Sequence, residues 1–224
     1  MKSNNSKFID ELLLILYSFD VQLIWGQNMQ NLYSTKDDLL SRADKEKLLA
    51  QKGICIWLTG LSGSGKTTIA NYASRVLHKK GIYTQVLDGD NIRLGINKNL
   101  SFTNEDRQEN IRRIAEVAKL FVEAGVVTFC CFVSPSHQMR SKAKSIVGTN
   151  DFFEVFVSTN LDACEKRDVK GLYKKARKGE IQEFTGVSSP FEPPQNPNLI
   201  LDTENKSIKE IGDLLVNELQ KIIQ

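Results

Sequence analysis

The stretch Gly60-Leu61-Ser62-Gly63-Ser64-Gly65-Lys66-Thr67 constrains this chain more than any other. It fits the phosphate-loop pattern G-x-x-x-x-G-K-[ST]. The apolar run Ile54-Cys55-Ile56-Trp57-Leu58 precedes it and reads as a buried strand. The run beginning Thr68-Ile69-Ala70-Asn71-Tyr72-Ala73 follows it and reads as a helix. Strand, glycine-rich loop and helix in that order turn a pattern match into a site. Glycines let the backbone wrap an anion with its N–H groups inward. The helix N-terminus adds partial positive charge. Lys66 would then reach the β- and γ-phosphates of ATP, and the Thr67 hydroxyl would ligate Mg²⁺. The plain alternative, a glycine-rich turn that binds nothing, leaves the flanking elements and the Lys-Thr pair unaccounted for.

Length and composition bound the rest. At 224 residues the chain suits one domain with an appendage. With 41% hydrophobic and 25% charged residues it reads as an ordinary soluble globular protein. The net charge of +3 gives no argument for nucleic acid or a membrane as partner. Cys55, Cys130, Cys131 and Cys164 form no C-x-x-C pair, and only His78 and His137 could join them, so zinc is not expected. The first three fall in apolar runs and read as buried thiols of a reduced, cytoplasmic protein, with a plastid or other organelle left open. The early apolar run at 12–17 is far short of the roughly 20 residues a membrane span needs. Asp10 and Glu11 interrupt the approach to it, against a secretory signal.

Residues 1–50 read as an extension, with a helix of amphipathic spacing over 8–25 and a second, polar helix over 37–49. The main domain is expected over 51–224. Its strand candidates are 54–58, 83–87, 126–133, 152–157 and 198–201, and its helices 65–80, 104–124, 136–147, 161–167 and 207–222. Apolar strands alternating with helices imply a mostly parallel sheet covered on both faces. With the phosphate loop after the first strand, the fold class is α/β: a three-layer nucleotide-kinase-like fold.

In such a sheet, ligands sit beyond the carboxyl ends of the strands. Asp88-Gly89-Asp90-Asn91-Ile92-Arg93 follows the second strand there. One carboxylate can hold Mg²⁺ and another can take the proton of an attacking hydroxyl. The alternative is a helix cap with solvated acids. Asp106, Arg107, Asn110 and Arg113 share helical spacing, so Arg107 and Arg113 could grip a phosphate or sulfate, with Phe102 stacking on a base. A solvent face laced by local ion pairs has the same spacing. Ser134, in Phe132-Val133-Ser134-Pro135, is either a donor to an anion or a turn residue. The basic stretch 167–177 reads as a lid over the phosphates, or as an exposed basic helix.

Taken together, Gly-Leu-Ser-Gly-Ser-Gly-Lys-Thr, Leu-Asp-Gly-Asp-Asn-Ile-Arg, Asn-Leu-Ser-Phe, Asp-Arg-Gln-Glu-Asn-Ile-Arg-Arg, Val-Ser-Pro, Lys-Gly-Leu-Tyr-Lys-Lys-Ala-Arg and Phe-Thr-Gly-Val resemble the adenylylsulfate (APS) kinases. The resemblance runs over about 51–203. It implies ATP- and Mg²⁺-dependent phosphorylation of the 3′-hydroxyl of APS to give PAPS, the sulfate donor. It places the ATP phosphates on Gly60 to Thr67 and Thr68, with Arg167 under the ATP adenine and Lys174 in the lid. It gives the APS pocket Asp88, Asp90, Arg93, Phe102, Arg107, Asn110, Val133, Ser134, Lys170, Gly171, Leu172, Phe184 and Thr185. Phe102 and Phe184 would sandwich the APS adenine. Lys66, Asp90 and Ser134 become the catalytic candidates, and Thr67 with Asp90 the metal pair. For Ser134 a substrate-binding role is preferred over a phosphoserine, because in-line transfer needs no covalent stop.

The resemblance further implies a homodimer, and a monofunctional enzyme is expected. Plant-type members carry a regulatory cysteine in the leader; residues 1–54 hold none, so that switch is not expected. Two rivals stand beside this reading. One is a P-loop kinase for another small molecule. The other is a non-catalytic nucleotide sensor, against which Lys66, Thr67 and Asp90 argue.

Overall fold

The structure, a computed structural model, describes residues 32–35 and 38–223. The chain divides into two units, residues 1–41 and 42–224. In the first, the described residues include a turn in which Asp38 N donates to Thr35 O. The helix expected over 8–25 lies outside the described residues. Of the helix expected over 37–49, the part from Arg42 forms.

The second unit opens with helix α1 (Arg42–Leu49). Five strands follow: β1 (Ile54–Thr59), β2 (Thr84–Asp88), β3 (Val127–Cys131), β4 (Phe152–Ser158) and β5 (Leu199–Asp202). They form one sheet in the order β2-β3-β1-β4-β5, every pair parallel. Between them run α2 (Lys66–Lys79), α3 (Gly89–Leu94), α4 (Asn104–Glu123), α5 (His137–Val147), α6 (Leu161–Arg167) and α7 (Leu172–Arg177), and α8 (Ile208–Ile223) closes the chain.

The alternation of β1 divides the core. Ile54, Ile56 and Leu58 pack with Ile69 and Leu77 of α2 and Leu215 and Leu219 of α8. Cys55 and Trp57 pack on the opposite face with Ile111, Ile114 and Ala118 of α4 and Met139 and Ala143 of α5. A strand buried on both faces must be apolar throughout, which is why β1 reads as an unbroken run. All four cysteines are free and buried.

Parallel strands place their carboxyl ends on one side, and β1, β2 and β3 deliver the phosphate loop, Asp88 and Ser134 there. Strand β3 stops at Cys131, two residues earlier than its apolar run. Phe132 is buried and Val133 half-buried, neither extends the strand, and Ser134 turns the chain at φ 38°. Two short helices, α3 and α7, form where a helix cap at Asp88 and a basic helix within 167–177 stood as the alternatives. Each is held at its start by an aspartate: Asp88 accepts from Asp90 N and Asn91 N, and Asp168 from Tyr173 N and Lys174 N.

Candidate active site

The phosphate loop is shaped by what takes its carbonyls. Lys66 Nζ donates to Gly60 O at 2.9 Å and Leu61 O at 2.7 Å. Tyr173 Oη donates to Ser62 O at 2.9 Å, and Arg167 approaches Gly63 O at 3.5 Å. Thr159 and Thr203 give their hydroxyls to Ser64 O at 3.2 and 3.3 Å. Five successive carbonyls are thus engaged, the first two by Lys66 of the cleft and the next three by groups outside the cleft lining. The first N–H groups of α2, which lack intrahelical acceptors, are left for an anion. Gly60, at φ 148°, has room for no side chain: a Cβ would lie 2.6 Å from Val157 O. Burial pushes the Lys66 ammonium down to about 8.

A cleft of about 420 Å³ runs from this loop along the ends of β2 and β3. Ser62, Gly63, Gly65, Lys66, Thr67 and Thr68 line one end. Arg93, Phe102, Arg107 and Asn110 line the other, with Val133 and Ser134 in the wall and Lys170 at the mouth. Between the ends lie Asp88 and Asp90. Thr67 Oγ1 donates to Asp88 Oδ2 at 2.6 Å, whereas Asp90 pairs with Lys170. Thus the carboxylate beside Thr67 is that of Asp88.

The far end carries two guanidinium groups. Arg107 donates to Phe102 O, Thr185 Oγ1 and Glu183 O at 2.7, 3.0 and 2.7 Å. Arg93 donates to Leu100 O and Ser101 O and lies 4.3 Å over the Phe102 ring. Among the described residues neither arginine forms a salt bridge, although Asp106 and Asp90 lie near Arg93 and Glu183 near Arg107, so two guanidinium groups line the cleft without a contact ion pair. Burial pushes both guanidinium groups down, and for Arg93 the neighbouring Arg107 adds to it. Asn110 is buried, with its Oδ1 held by Asn97 Nδ2 at 2.9 Å. Arg113 turns away and pairs with Glu109 and Asn99 instead.

Ser134 is 2% exposed, and its hydroxyl is already engaged. Trp57 Nε1 donates to Ser134 Oγ at 3.0 Å, and Ser134 Oγ donates to Thr59 Oγ1 at 3.1 Å. A fully buried indole needs such a partner. Cys131, in the same wall, is no nucleophile: burial lifts its thiol to about 12.

Other expected residues lie outside the cleft. Arg167 is fixed behind the loop by Thr203, donating to its Oγ1 and O at 3.1 and 2.9 Å. Leu61 lines a separate groove. Lys174 is exposed, and Gly171 with Leu172 opens α7. Phe184 meets Tyr173 edge-on at 5.0 Å and does not share the cleft wall with Phe102. Arg107 nevertheless ties the two segments together.

The match to known proteins decides among the kinases this geometry allows. Residues 52–202 match the family model described as adenylylsulphate kinase. The chain belongs to the adenylylsulphate kinase family. It is 56% identical over 194 residues to the adenylyl-sulfate kinase of Phocaeicola vulgatus, covering 87% of this chain and 95% of that protein. To that of Bacteroides fragilis strain YCH46 it is 58% identical over 193 residues, 86% of this chain and 94% of the relative. Among solved structures, the Mycobacterium tuberculosis APS kinase in complex with AMPPNP and APS superposes with a TM-score of 0.73 at 45% identity, covering 75% of this chain and 98% of that one. The family's kinase activity fits a cleft with a phosphate loop at one end and an anion pocket at the other.

Sequence reasoning missed Tyr173, Thr159 and Thr203 as supports of the loop. Thr59, Thr159 and Thr203 stand at or just past the ends of β1, β4 and β5, so the strand-end rule was the available signal for them. Tyr173 was masked by the lysines around it.

Proposed function

We infer that this chain transfers the γ-phosphoryl group of ATP to the 3′-hydroxyl of adenylylsulfate, giving PAPS and ADP. The observation that carries the reading is one cleft joining the phosphate loop to the Arg93–Arg107 pair, neither of which is spent on a contact ion pair. The loop and α2 hold the ATP phosphates, and Lys66 leaves its two carbonyls to meet charge developing on the γ-phosphoryl. The phosphosulfate of the acceptor lies against Arg93 and Arg107, with Asn110 beside them. Asp90 takes the proton from the 3′-hydroxyl once Lys170 releases it. Ser134 acts by holding Trp57 and the cleft wall in place.

A hydroxyl and a carboxylate 2.6 Å apart, Thr67 and Asp88, suit a hard cation that takes its remaining ligands from phosphate and water. Thr67 and Asp88 would hold Mg²⁺, which when bound neutralises charge on the β- and γ-phosphates. We assign Arg167, behind the loop, to the ATP adenine and the 167–177 segment to a lid.

The reading extends to a cytoplasmic homodimer. No helix among the described residues is long and apolar enough to cross a membrane. Leu94 and Leu120 are 82% and 67% exposed, surface that self-association would cover.

The direct test is turnover of the purified chain with ATP and Mg²⁺. PAPS and ADP should form in equal amounts with adenylylsulfate, and no phosphorylated product with AMP, gluconate or shikimate. Turnover of one of those instead would make it another small-molecule kinase; binding without turnover would make it a sensor.

Acceptor recognition gives a second test. Stacking on the adenine by Phe102 in the cleft wall, and by Phe184 brought over from beside Tyr173 when the acceptor binds, contributes on the order of 1 kcal/mol each, so Phe102→Ala and Phe184→Ala should each raise the KM for adenylylsulfate several-fold or more. The KM for ATP should stay near wild type. Phe102 is 62% exposed, so its truncation should leave the melting temperature unchanged. A parallel rise of both KM values with a large loss of Tm would mark the rings as packing residues.

A further inference from the structure

Arg140 lies on α5, outside the cleft lining, and is 3% exposed. A buried guanidinium is costly unless its fork is filled, and here it is filled from three separate elements. Nη1 donates to Ser134 O at 2.8 Å, at the end of β3. Nη2 donates to Glu192 O at 2.7 Å, in the long segment before β5, and meets His137 Nδ1 at 2.9 Å. Nε lies 3.1 Å from Glu154 Oε1, on β4.

The two carbonyls are not neutral choices. Ser134 is a non-glycine residue at φ 38°, a conformation that persists only when its surroundings fix it. Its carbonyl is one of the groups that fix it, and its side chain forms part of the cleft wall. Glu192 ends the segment that begins at Glu183, Phe184 and Thr185. Arg107 holds the start of that segment through Glu183 O and Thr185 Oγ1. Glu192 is stitched further to the β3 end, its N donating to Pro135 O at 2.8 Å and its Oε2 accepting from His137 N at 2.7 Å. The acceptor-side segment therefore hangs between two arginines, one in the cleft and one buried behind it.

We propose that Arg140 is a positioning residue for the acceptor half of the site, setting Ser134 and the Phe184–Thr185 segment at their working separation through the two carbonyls it holds. The proposal rests on the functional reading above. Arg140 makes no direct contact with the phosphate loop; the nearest link is Thr59, beside Gly60, whose Oγ1 also donates to Ser134 O at a longer 3.4 Å, so the effect falls mainly on the acceptor side.

The test uses two variants. Arg140→Met combined with Glu154→Gln removes the pair from both sides and strands no buried charge. Arg140→Lys keeps a charge beside Glu154 but offers no planar fork to span three acceptors. Both should raise the KM for adenylylsulfate about tenfold or more, while the KM for ATP stays within about twofold. If the double variant does not fold, the same split in Arg140→Lys decides. Unchanged KM values, or a parallel rise in both that follows a loss of Tm, would overturn the assignment alone. Absence of adenylylsulfate turnover by the wild-type chain would instead overturn the functional reading, and the assignment with it.

Discussion

Lys66→Ala is expected to lower kcat about a thousandfold or more while the fold survives. The ammonium makes its contacts with Gly60 O and Leu61 O, so in the resting protein it braces the loop it will later leave. Its charge matters most when the γ-phosphoryl is in transit. Burial has lowered its proton affinity to about 8, and this gives the prediction a pH signature. An uncharged amine attracts a polyphosphate less, so ATP affinity of the wild type should weaken as pH rises through 8. The sign for stability is opposite. From about 8 up to the ordinary lysine value of 10.5 the unfolded chain holds a proton that the native state has shed. The native state therefore gains relative stability as pH rises through that window. Lys66→Ala should lack both slopes. Isothermal titration with ATP at pH 7 and 9, beside denaturant curves at the same pH values, reads both. Near-normal turnover with an unchanged melting curve would remove Lys66 from the mechanism.

Asp88→Asn and Asp90→Asn should both cripple turnover, by separable routes. An amide at 88 cannot accept from Thr67 and from the N–H groups of α3 as a carboxylate does, and it offers a cation less charge. We expect kcat to fall by roughly three orders of magnitude and the Mg²⁺ concentration for half-maximal rate to rise. Asparagine also caps a helix N-terminus, so α3 should keep its cap and the melting temperature should change little. At Asp90 the amide keeps the shape but cannot take a proton, so kcat should fall about 10²- to 10⁴-fold with little change in KM for ATP or in the Mg²⁺ requirement. The converse pattern, a raised Mg²⁺ requirement for Asp90→Asn alone, would move the cation to Asp90 and leave Asp88 as a helix cap.

Where sequence alone succeeded, the signal was local. The run 54–58 with the glycines behind it announces strand, loop and helix because all three are contiguous. Ambiguity came where one spacing serves two ends. Asp106 to Arg113 has the spacing of a ligand-binding face and of a solvated ion-pair face, and the structure uses both. Arg107 and Asn110 turn to the cleft, while Arg112 and Arg113 pair with Glu109. Strand β3 was read too long because Phe132 and Val133 are apolar for a different reason: they wall the cleft. What stayed illegible is non-local. The bond from Tyr173 to Ser62 spans 111 positions, and that from Trp57 to Ser134 spans 77. No window of sequence contains both partners, so neither has a periodicity to find.

The props behind the phosphate loop have a consequence for synthesis. The loop is translated early, but the groups that take the Ser62, Gly63 and Ser64 carbonyls come from Thr159, Arg167, Tyr173 and Thr203. Strand β1 itself lies between β3 and β4, both made later. A ribosome-bound chain that has not yet extruded β5 and Thr203 thus carries the motif without all of its props, and the loop should reach its full bracing only after those later elements have folded onto it.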